Sequence, residues 1–163
     1  ISQNKKQKAI KSLKRGLEIQ PKNTNALFQY GNIFLMEKYY EKALNQYNKI
    51  IEIKANFWQA LNNKGLIYFE RDERLLAINN FTKAIEIEKN AESMLALGVS
   101  LKSSNKEESL LLVKEALQKN PNYVSFEFRE TQLWGPKLQK ETEELFKSEE
   151  LKKDISNANL YKN

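Results

Sequence analysis

The sequence predicts an all-α protein of stacked helical hairpins that ends in a C-terminal capping helix. Three observations lead to this fold class. The fourteen residues ALNQYNKIIEIKAN (Ala43–Asn56) recur further along the chain as AINNFTKAIEIEKN (Ala77–Asn90), with seven identical positions. Glycine and proline are scarce, at five and three residues, which favours long helices over a turn-rich β protein. Within each repeat, apolar residues fall three, four or seven positions apart, which is the spacing of one helix face.

The interval from Ala43 to Ala77 matches the length of one helix–turn–helix unit, about 34 residues. Small residues recur at matching places in the unit, where we expect its two helices to approach each other closely. One such unit cannot bury its apolar face alone, so stacked neighbours must share a continuous core. The small residues are Gly31, Gly65 and Gly98 on the first helix, and Ala43, Ala77 and Ser109 on the second.

These residues resemble the tetratricopeptide repeat over about residues 4–123. The first helix of the family pattern is matched by LFQYGNIF (Leu27–Phe34) and by LNNKGLIY (Leu61–Tyr68). The second helix is matched by two sets of residues, and three positions depart from the pattern. The resemblance implies a right-handed α–α superhelix, a solenoid whose concave groove holds a partner. The matching sets are Ala43, Tyr47 and Ile50, and Ala77, Phe81 and Ala84; the departures are Ala55, Lys64 and Lys89.

The repeat pattern divides the chain into an array over residues 1–123, capping helices over 124–153 and a frayed tail over 154–163. In the first unit only the second helix is present, at residues 3–19. A short helix is expected near 124–134 and a final helix from Pro136 to about Lys153, since proline suits the first turn of a helix. The helix pairs are expected at 24–37 with 40–53, 57–70 with 73–88, and 91–103 with 107–119.

The resemblance places a set of first-helix residues on the concave groove. We expect an extended peptide there, because each amide offers both a donor and an acceptor to a backbone, and Phe28 and Phe69 could seat apolar side chains. An ordinary solvated helix face is the alternative, because Asn occurs 18 times in the chain. The predicted groove residues are Asn25, Phe28, Gln29, Asn32, Gln59, Asn62, Asn63, Leu66 and Phe69, together with Leu35, Met36, Glu70, Glu92, Leu95, Ala96, Val99 and Lys102.

One version of this groove grips the C-terminal tail of a chaperone through a carboxylate clamp. Asn32 and Asn63 match the amides of that clamp. A carboxylate also needs cations beside the amides, and the clamp's cationic positions hold Phe28, Glu92 and Ala96. We therefore expect a protein or peptide partner other than a chaperone tail.

The basic charge of the chain is concentrated at its N-terminal end. The net charge is +6, and residues 1–22 hold seven cations against Glu18 alone. Acidic protein, anionic lipid or nucleic acid could dock on the basic helix formed by Lys5, Lys8, Lys11 and Arg15. A solvated face is the alternative. A helical-repeat RNA-binding protein is a further alternative, but nucleic acid is not expected in the groove, which is not basic.

The composition favours a binding module or assembly scaffold over an enzyme. The chain has no histidine and no cysteine, and the sequence offers no nucleophile–base arrangement, so we expect no catalysis, no cofactor and no metal site. We expect an intracellular soluble domain, and leave open what precedes Ile1, a membrane anchor included. The apolar stripe of the first helix, Ile10, Leu13 and Leu17, is expected to be partly exposed or covered by a second copy in a homodimer.

Overall fold

A computed structural model describes residues 3–162, with side chains from Gln7 onward. Over these residues the chain is built from α-helices joined by short turns and two 3-10 turns. The helices are α1 Gln3–Ile19, α2 Thr24–Met36, α3 Tyr40–Ile53, α4 Trp58–Glu70, α5 Arg74–Ile87, α6 Ala91–Leu101, α7 Lys106–Lys119, α8 Phe126–Thr131, α9 Pro136–Phe146 and α10 Lys152–Tyr161; the 3-10 turns are Pro121–Val124 and Glu149–Leu151.

Asparagine side chains start three of the helices. Asn23, Asn90 and Asn105 each accept a hydrogen bond from the backbone N–H three residues on, at 3.0, 2.8 and 3.3 Å. These bonds satisfy N–H groups that have no partner inside the helix. Part of the asparagine content of this chain is therefore explained by helix starts.

The turn between paired helices is the same in successive repeats. Lys38 and Asp72, which occupy matching positions of the two repeats, both have a positive φ, at 60° and 63°. In each turn the next residue, Tyr39 or Glu73, donates its N–H to a carbonyl five residues back, at 2.8 and 2.9 Å. This left-handed residue ends the first helix and reverses the chain toward the second.

The chain divides into two compact units, one up to Ala60 and one from Leu61 onward. In the first unit, α1 packs on α2 and α2 packs on α3, with the core formed by Leu27, Leu35, Ala43, Leu44, Tyr47 and Ile50. In the second unit, α6 packs on α5 and α7, and α9 and α10 join the same core.

The predicted close approach at the repeat glycines is confirmed. A Cβ atom on Gly31 would lie 2.6 Å from Cε1 of Tyr47, and one on Gly65 would lie 2.4 Å from Cε1 of Phe81. Both distances are too short for a real contact, so only glycine lets the aromatic ring of the second helix reach the first. Ala43, Ala77 and Ser109 are fully buried at the matching positions of the second helices.

The last predicted helix is shorter in the structure than the sequence indicated. The final helix was expected to run from Pro136 to about Lys153, but α9 ends at Phe146. Leu138 and Leu151 are both fully buried. In one continuous helix they would point about 140° apart, since each residue turns the helix by about 100°. The break after Phe146 lets both face the core.

The frayed tail predicted over residues 154–163 is helical over most of its length. Helix α10 continues to Tyr161 and packs on α7 and on the 3-10 turn at Pro121–Val124. Ala158 is buried in this contact, and Ile155, three residues earlier, packs on the same core. The polar composition of DISNANLYKN hides this apolar pair, which is spaced for one helix face.

Candidate functional site

Four of the predicted groove residues lie in the interior of the second unit. Asn62, Asn63, Leu66 and Phe69 have exposed fractions of only 1%, 6%, 1% and 3%. The matching residues of the next repeat, Leu95, Ala96 and Val99, are fully buried. Asn62 and Asn63 therefore do not lie on a solvated helix face, which was the alternative that the asparagine-rich composition suggested.

The chain itself covers this part of the predicted groove. We call residues 121–151 the C-terminal segment. Its Trp134 donates from Nε1 to Oε1 of Glu92 at 3.3 Å, and the backbone N–H of its Leu138 donates to Oε1 of Glu70 at 3.0 Å. Both acceptors occupy positions that the sequence assigned to the groove. The C-terminal segment thus occupies the first-helix face of these repeats, and this explains why the predicted groove residues there are buried.

Three basic residues at the edge of this face hold the acidic side of the C-terminal segment. Arg74 Nη2 lies 2.6 Å from Oε1 of Glu141, and Lys102 Nζ lies 3.3 Å from its Oε2. Lys106 Nζ lies 2.6 Å from Oε1 of Glu150. Burial raises the pKa of Glu141, but the hydrogen bonds and charges of Arg74 and Lys102 outweigh burial and leave its pKa below the usual range.

Asn62 is committed to contacts inside the second unit. Its Nδ2 donates to Oε1 of Glu92 at 2.9 Å and to Oδ1 of Asn63 at 3.2 Å, and its Oδ1 accepts from Oγ of Ser93 at 2.8 Å. Burial raises the pKa of Glu92 to about 7, against the opposing effect of hydrogen bonds from Asn62, Trp134 and Tyr123. The amide that was predicted to hold a peptide backbone instead joins α4 to α6.

Arg129 joins the 3-10 turn at Pro121–Val124 to α9 within the C-terminal segment, and sequence reasoning missed it. Its side chain is fully buried, Nη1 donates to the carbonyls of Tyr123 and Val124 at 2.7 and 3.0 Å, and Nε donates to Oε1 of Gln139 at 2.8 Å. Nη2 pairs with Glu143. Burial lowers the pKa of Arg129, and Glu143 opposes that shift. A single arginine among aromatic residues in FEFRETQLW is the signal that could have found it.

The predicted groove residues of the first unit are more accessible. Asn25 and Gln29 of α2 are exposed, whereas Phe28 and Asn32 are partly buried. The ring of Phe28 lies 5.3 Å from that of Phe57. Oδ1 of Asn32 accepts a hydrogen bond from the hydroxyl of Tyr47 at 2.7 Å. Gln59, at the start of α4, is also partly buried.

An open cavity of about 460 Å³ lies between α1 and α2 in the first unit. It brings two predicted groove residues, Gln29 and Asn32, onto one surface with α1, which the sequence treated as a separate candidate. One helical turn further along α1, a Cβ on Gly16 would meet no atom within 4 Å, so this side of the helix faces open space. The cavity is lined by Ala9, Ser12, Leu13, Gln29, Asn32 and Ile33.

The cations of the basic helix are exposed where the structure describes them. Lys8, Lys11 and Arg15 are all solvent-exposed, and the side chain of Lys5 lies outside the described part of the chain. The apolar stripe of α1 is partly buried within the chain itself. The homodimer through this helix stays a prediction. The stripe consists of Ile10, Leu13 and Leu17.

Neither a metal centre nor a membrane span is found in the part of the chain that the structure describes. Across residues 7–162, no group of three or more acidic side chains is arranged to hold a metal ion. Among the helices between residues 3 and 162, none combines the length and the apolar character needed to cross a bilayer.

Comparison with known proteins identifies the repeat. Residues 24–57 and 59–90 match the family model described as tetratricopeptide repeat. No curated protein matches the sequence.

Solved structures with the same fold include MamA and YrrB. MamA superposes with a TM-score of 0.66 at 20% identity, covering 98% of this chain and 88% of that one. A MamA segment from Desulfovibrio magneticus RS-1 gives a TM-score of 0.67 at 15% identity, covering 97% and 88%. YrrB, described as a TPR protein with an unusual peptide-binding site, gives 0.62 at 15% identity, covering 96% and 84%. The expected tetratricopeptide-repeat resemblance and the all-α solenoid fold class are therefore confirmed, and the chain contains two tetratricopeptide repeats, at residues 24–57 and 59–90.

Proposed function

We propose that the protein is a non-catalytic interaction module that binds an extended segment of a partner protein on the α1–α2 face of its first unit. Tetratricopeptide repeats are protein-interaction modules, and this supports the general class. The observation that carries the proposal is the open cavity between α1 and α2, because it contains two of the predicted groove residues, Gln29 and Asn32. Its mixture of apolar walls and a few polar groups is typical of binding sites.

The second unit supports the choice of polypeptide as the occupant. There the corresponding first-helix face is covered by the C-terminal segment, through Glu70, Glu92 and Lys102. The repeat therefore presents a surface on which a chain segment can pack and donate hydrogen bonds. Met36 occupies the position of Glu70 in the preceding repeat and is 52% exposed. YrrB, which shares the fold, is described as having a peptide-binding site.

The chemistry of the described residues supports binding rather than catalysis. The chain has neither histidine nor cysteine. The carboxyl group with a pKa near neutral, Glu92, accepts hydrogen bonds from Asn62 and Trp134 inside the second unit. Such a group is held by the fold rather than aimed at a substrate.

The test is selection of peptides from a random display library on the intact protein, followed by binding of the selected peptides to two variants. Ser12→Trp fills the α1–α2 cavity, while Asn48→Trp adds the same side chain to an exposed position of α3. We expect Ser12→Trp to weaken binding by about tenfold or more, because an occluded anchor site loses about 2 kcal/mol, and Asn48→Trp to leave it unchanged. Selected peptides that bind both variants equally well would contradict the proposal.

A further inference from the structure

We infer that the α1–α2 face takes an acidic segment, with an apolar side chain in the cavity and carboxylates against Lys8 and Arg15. This inference rests on the proposed function and adds the chemistry of the partner. Charge is the first observation. Residues 1–22 carry seven cations and one anion, whereas the rest of the chain is balanced at 20 of each. Such an excess attracts anionic groups at one end of the molecule.

The cations that matter are placed beside the cavity by helix geometry. Lys8 precedes the cavity residue Ser12 by four positions, and Arg15 follows it by three, so all three lie along one strip of α1. Both cations are exposed. Glu18 lies six positions from Ser12, about 120° around the helix, so its carboxylate is directed away from that cavity residue. It lies three positions from Arg15, so Arg15 has one acidic neighbour on α1, whereas Lys8 has none within a turn.

In its second unit the protein holds an acidic segment through cations at the end of α6 and the start of α7. Residues 136–151 contain five glutamates and three lysines. Their carboxylates meet cations at the edge of the repeat, with Lys102 Nζ 3.2 Å from Oε2 of Glu144 and Lys106 Nζ 2.6 Å from Oε1 of Glu150. Leu138 of the same segment is fully buried in the core. An apolar anchor flanked by carboxylates is therefore a ligand that this repeat accommodates.

The cavity favours an acidic peptide over a nucleic acid. Single-stranded nucleic acid is held by stacking of its bases on aromatic side chains. The residues that line the cavity are aliphatic, hydroxyl or amide in character, with Leu13 and Ile33 as the apolar part. Such walls suit an aliphatic side chain, and the amide of Gln29 suits a peptide backbone.

The test is fluorescence anisotropy with the full chain and a labelled peptide that has the sequence of residues 136–151. A second peptide carries Gln in place of all five glutamates, and an oligouridylate of the same length serves as the nucleic-acid arm. The variants are Lys8→Glu/Arg15→Glu and Ser12→Trp. The matched control is Lys49→Glu/Lys119→Glu, which changes the net charge equally at exposed sites of α3 and α7. Circular dichroism checks that each variant is folded.

We expect the acidic peptide to bind, with affinity that falls about tenfold or more in Lys8→Glu/Arg15→Glu and in Ser12→Trp, and by less than about twofold in the control. The Gln peptide should bind at least about fivefold more weakly, and added salt should weaken the acidic peptide. Loss of binding in Ser12→Trp alone would overturn the acidic preference and leave the proposed function standing. Binding that no variant alters would overturn both. Failure of the acidic peptide to bind, or tighter binding of oligouridylate with the same variant pattern, would also overturn the inference.

Discussion

Oε1 of Glu70 accepts a hydrogen bond from the backbone N–H of Leu138 at 3.0 Å, across 68 residues of sequence. The same carboxylate accepts from the N–H of Lys137 at 3.1 and 3.3 Å. Helix α9 begins at Pro136, and Gly135 before it has no side chain to supply a cap. Glu70 therefore caps α9 from α4 and places a negative charge at the positive end of the helix. This contact fixes where the C-terminal segment enters the face of the repeat.

Glu70→Ala should lower the free energy of unfolding of the second unit by about 1–2 kcal/mol, which is the usual cost of losing a helix cap. The midpoint of urea unfolding, followed by far-UV circular dichroism, measures the effect. Glu52→Ala, at an exposed site of α3, is the control. Gly135→Ala should act like Glu70→Ala, because a Cβ there would lie 2.2 Å from Cδ of Glu70. An unchanged midpoint in both Glu70→Ala and Gly135→Ala would contradict the capping role.

Arg129→Ala should cost about 3–5 kcal/mol, because it leaves the buried carbonyls of Tyr123 and Val124 and the amide of Gln139 without their donor. Arg71→Ala is the control at an exposed arginine. Equilibrium unfolding followed by tryptophan fluorescence is the measurement, since Trp134 lies 6.0 Å from the guanidinium. A loss no larger than that of the control would show that Arg129 does not hold the parts of the C-terminal segment together.

The helices of the repeats could be predicted from the sequence because local signals and tertiary packing agree there. Gly65 predicts a close approach of two helices, and in the structure the ring of Phe81 reaches this glycine. Helix α10 could not be predicted in the same way. Its stability comes from Ala158 and Ile155 packing on distant helices, and its own sequence is rich in residues that favour loops.

The candidate site was predictable only in part. The spacing of the repeat assigns Asn62 and Gln29 to the same face of successive units, and that assignment carries no information on what covers each one. Asn62 is buried and donates to Glu92, which also accepts from Trp134, a residue 42 positions further along the chain. Gln29 stays exposed and lines a cavity with α1. Long-range contacts of this kind leave no periodic signal in a single sequence.

Glu92 should make stability depend on pH near neutrality. Its pKa is about 7 in the folded protein, compared with 4.5 as the ordinary value. Between these values the folded state keeps a proton that the unfolded state releases, so the free energy of unfolding falls as pH rises from about 4.5 to 7 and is level above that. One pKa unit corresponds to about 1.4 kcal/mol, so the loss is at most a few kcal/mol. Thermal unfolding at pH 5 and pH 8 measures it.

Glu92→Gln should remove most of this pH dependence, because the amide does not titrate. Glu86→Gln, at an exposed site of α5, should retain it. Three other carboxyl groups have a lowered pKa, and their contribution to the free energy of unfolding is lost only as pH falls below their ordinary pKa. They therefore do not change stability between pH 5 and pH 8. These groups are Glu127, Glu141 and Glu150. An equal pH dependence in the wild type and in Glu92→Gln would rule out Glu92 as its source.

Replacing a glycine with alanine should raise the melting temperature at one position of the chain and lower it at two others. Gly31→Ala and Gly65→Ala place a methyl group 2.6 and 2.4 Å from the rings of Tyr47 and Phe81, so the paired helices must separate. Such overpacking costs about 1–3 kcal/mol. Gly16→Ala meets no atom within 4 Å, and it should stabilise α1 by up to about 1 kcal/mol, because alanine loses less backbone entropy than glycine in a helix. Melting temperatures of the three variants test this, with the Gly16→Ala value expected above the wild type and the other two below it. A lower melting temperature for Gly16→Ala would show that this side of α1 packs against something, and it would remove the open surface on which the binding proposal depends.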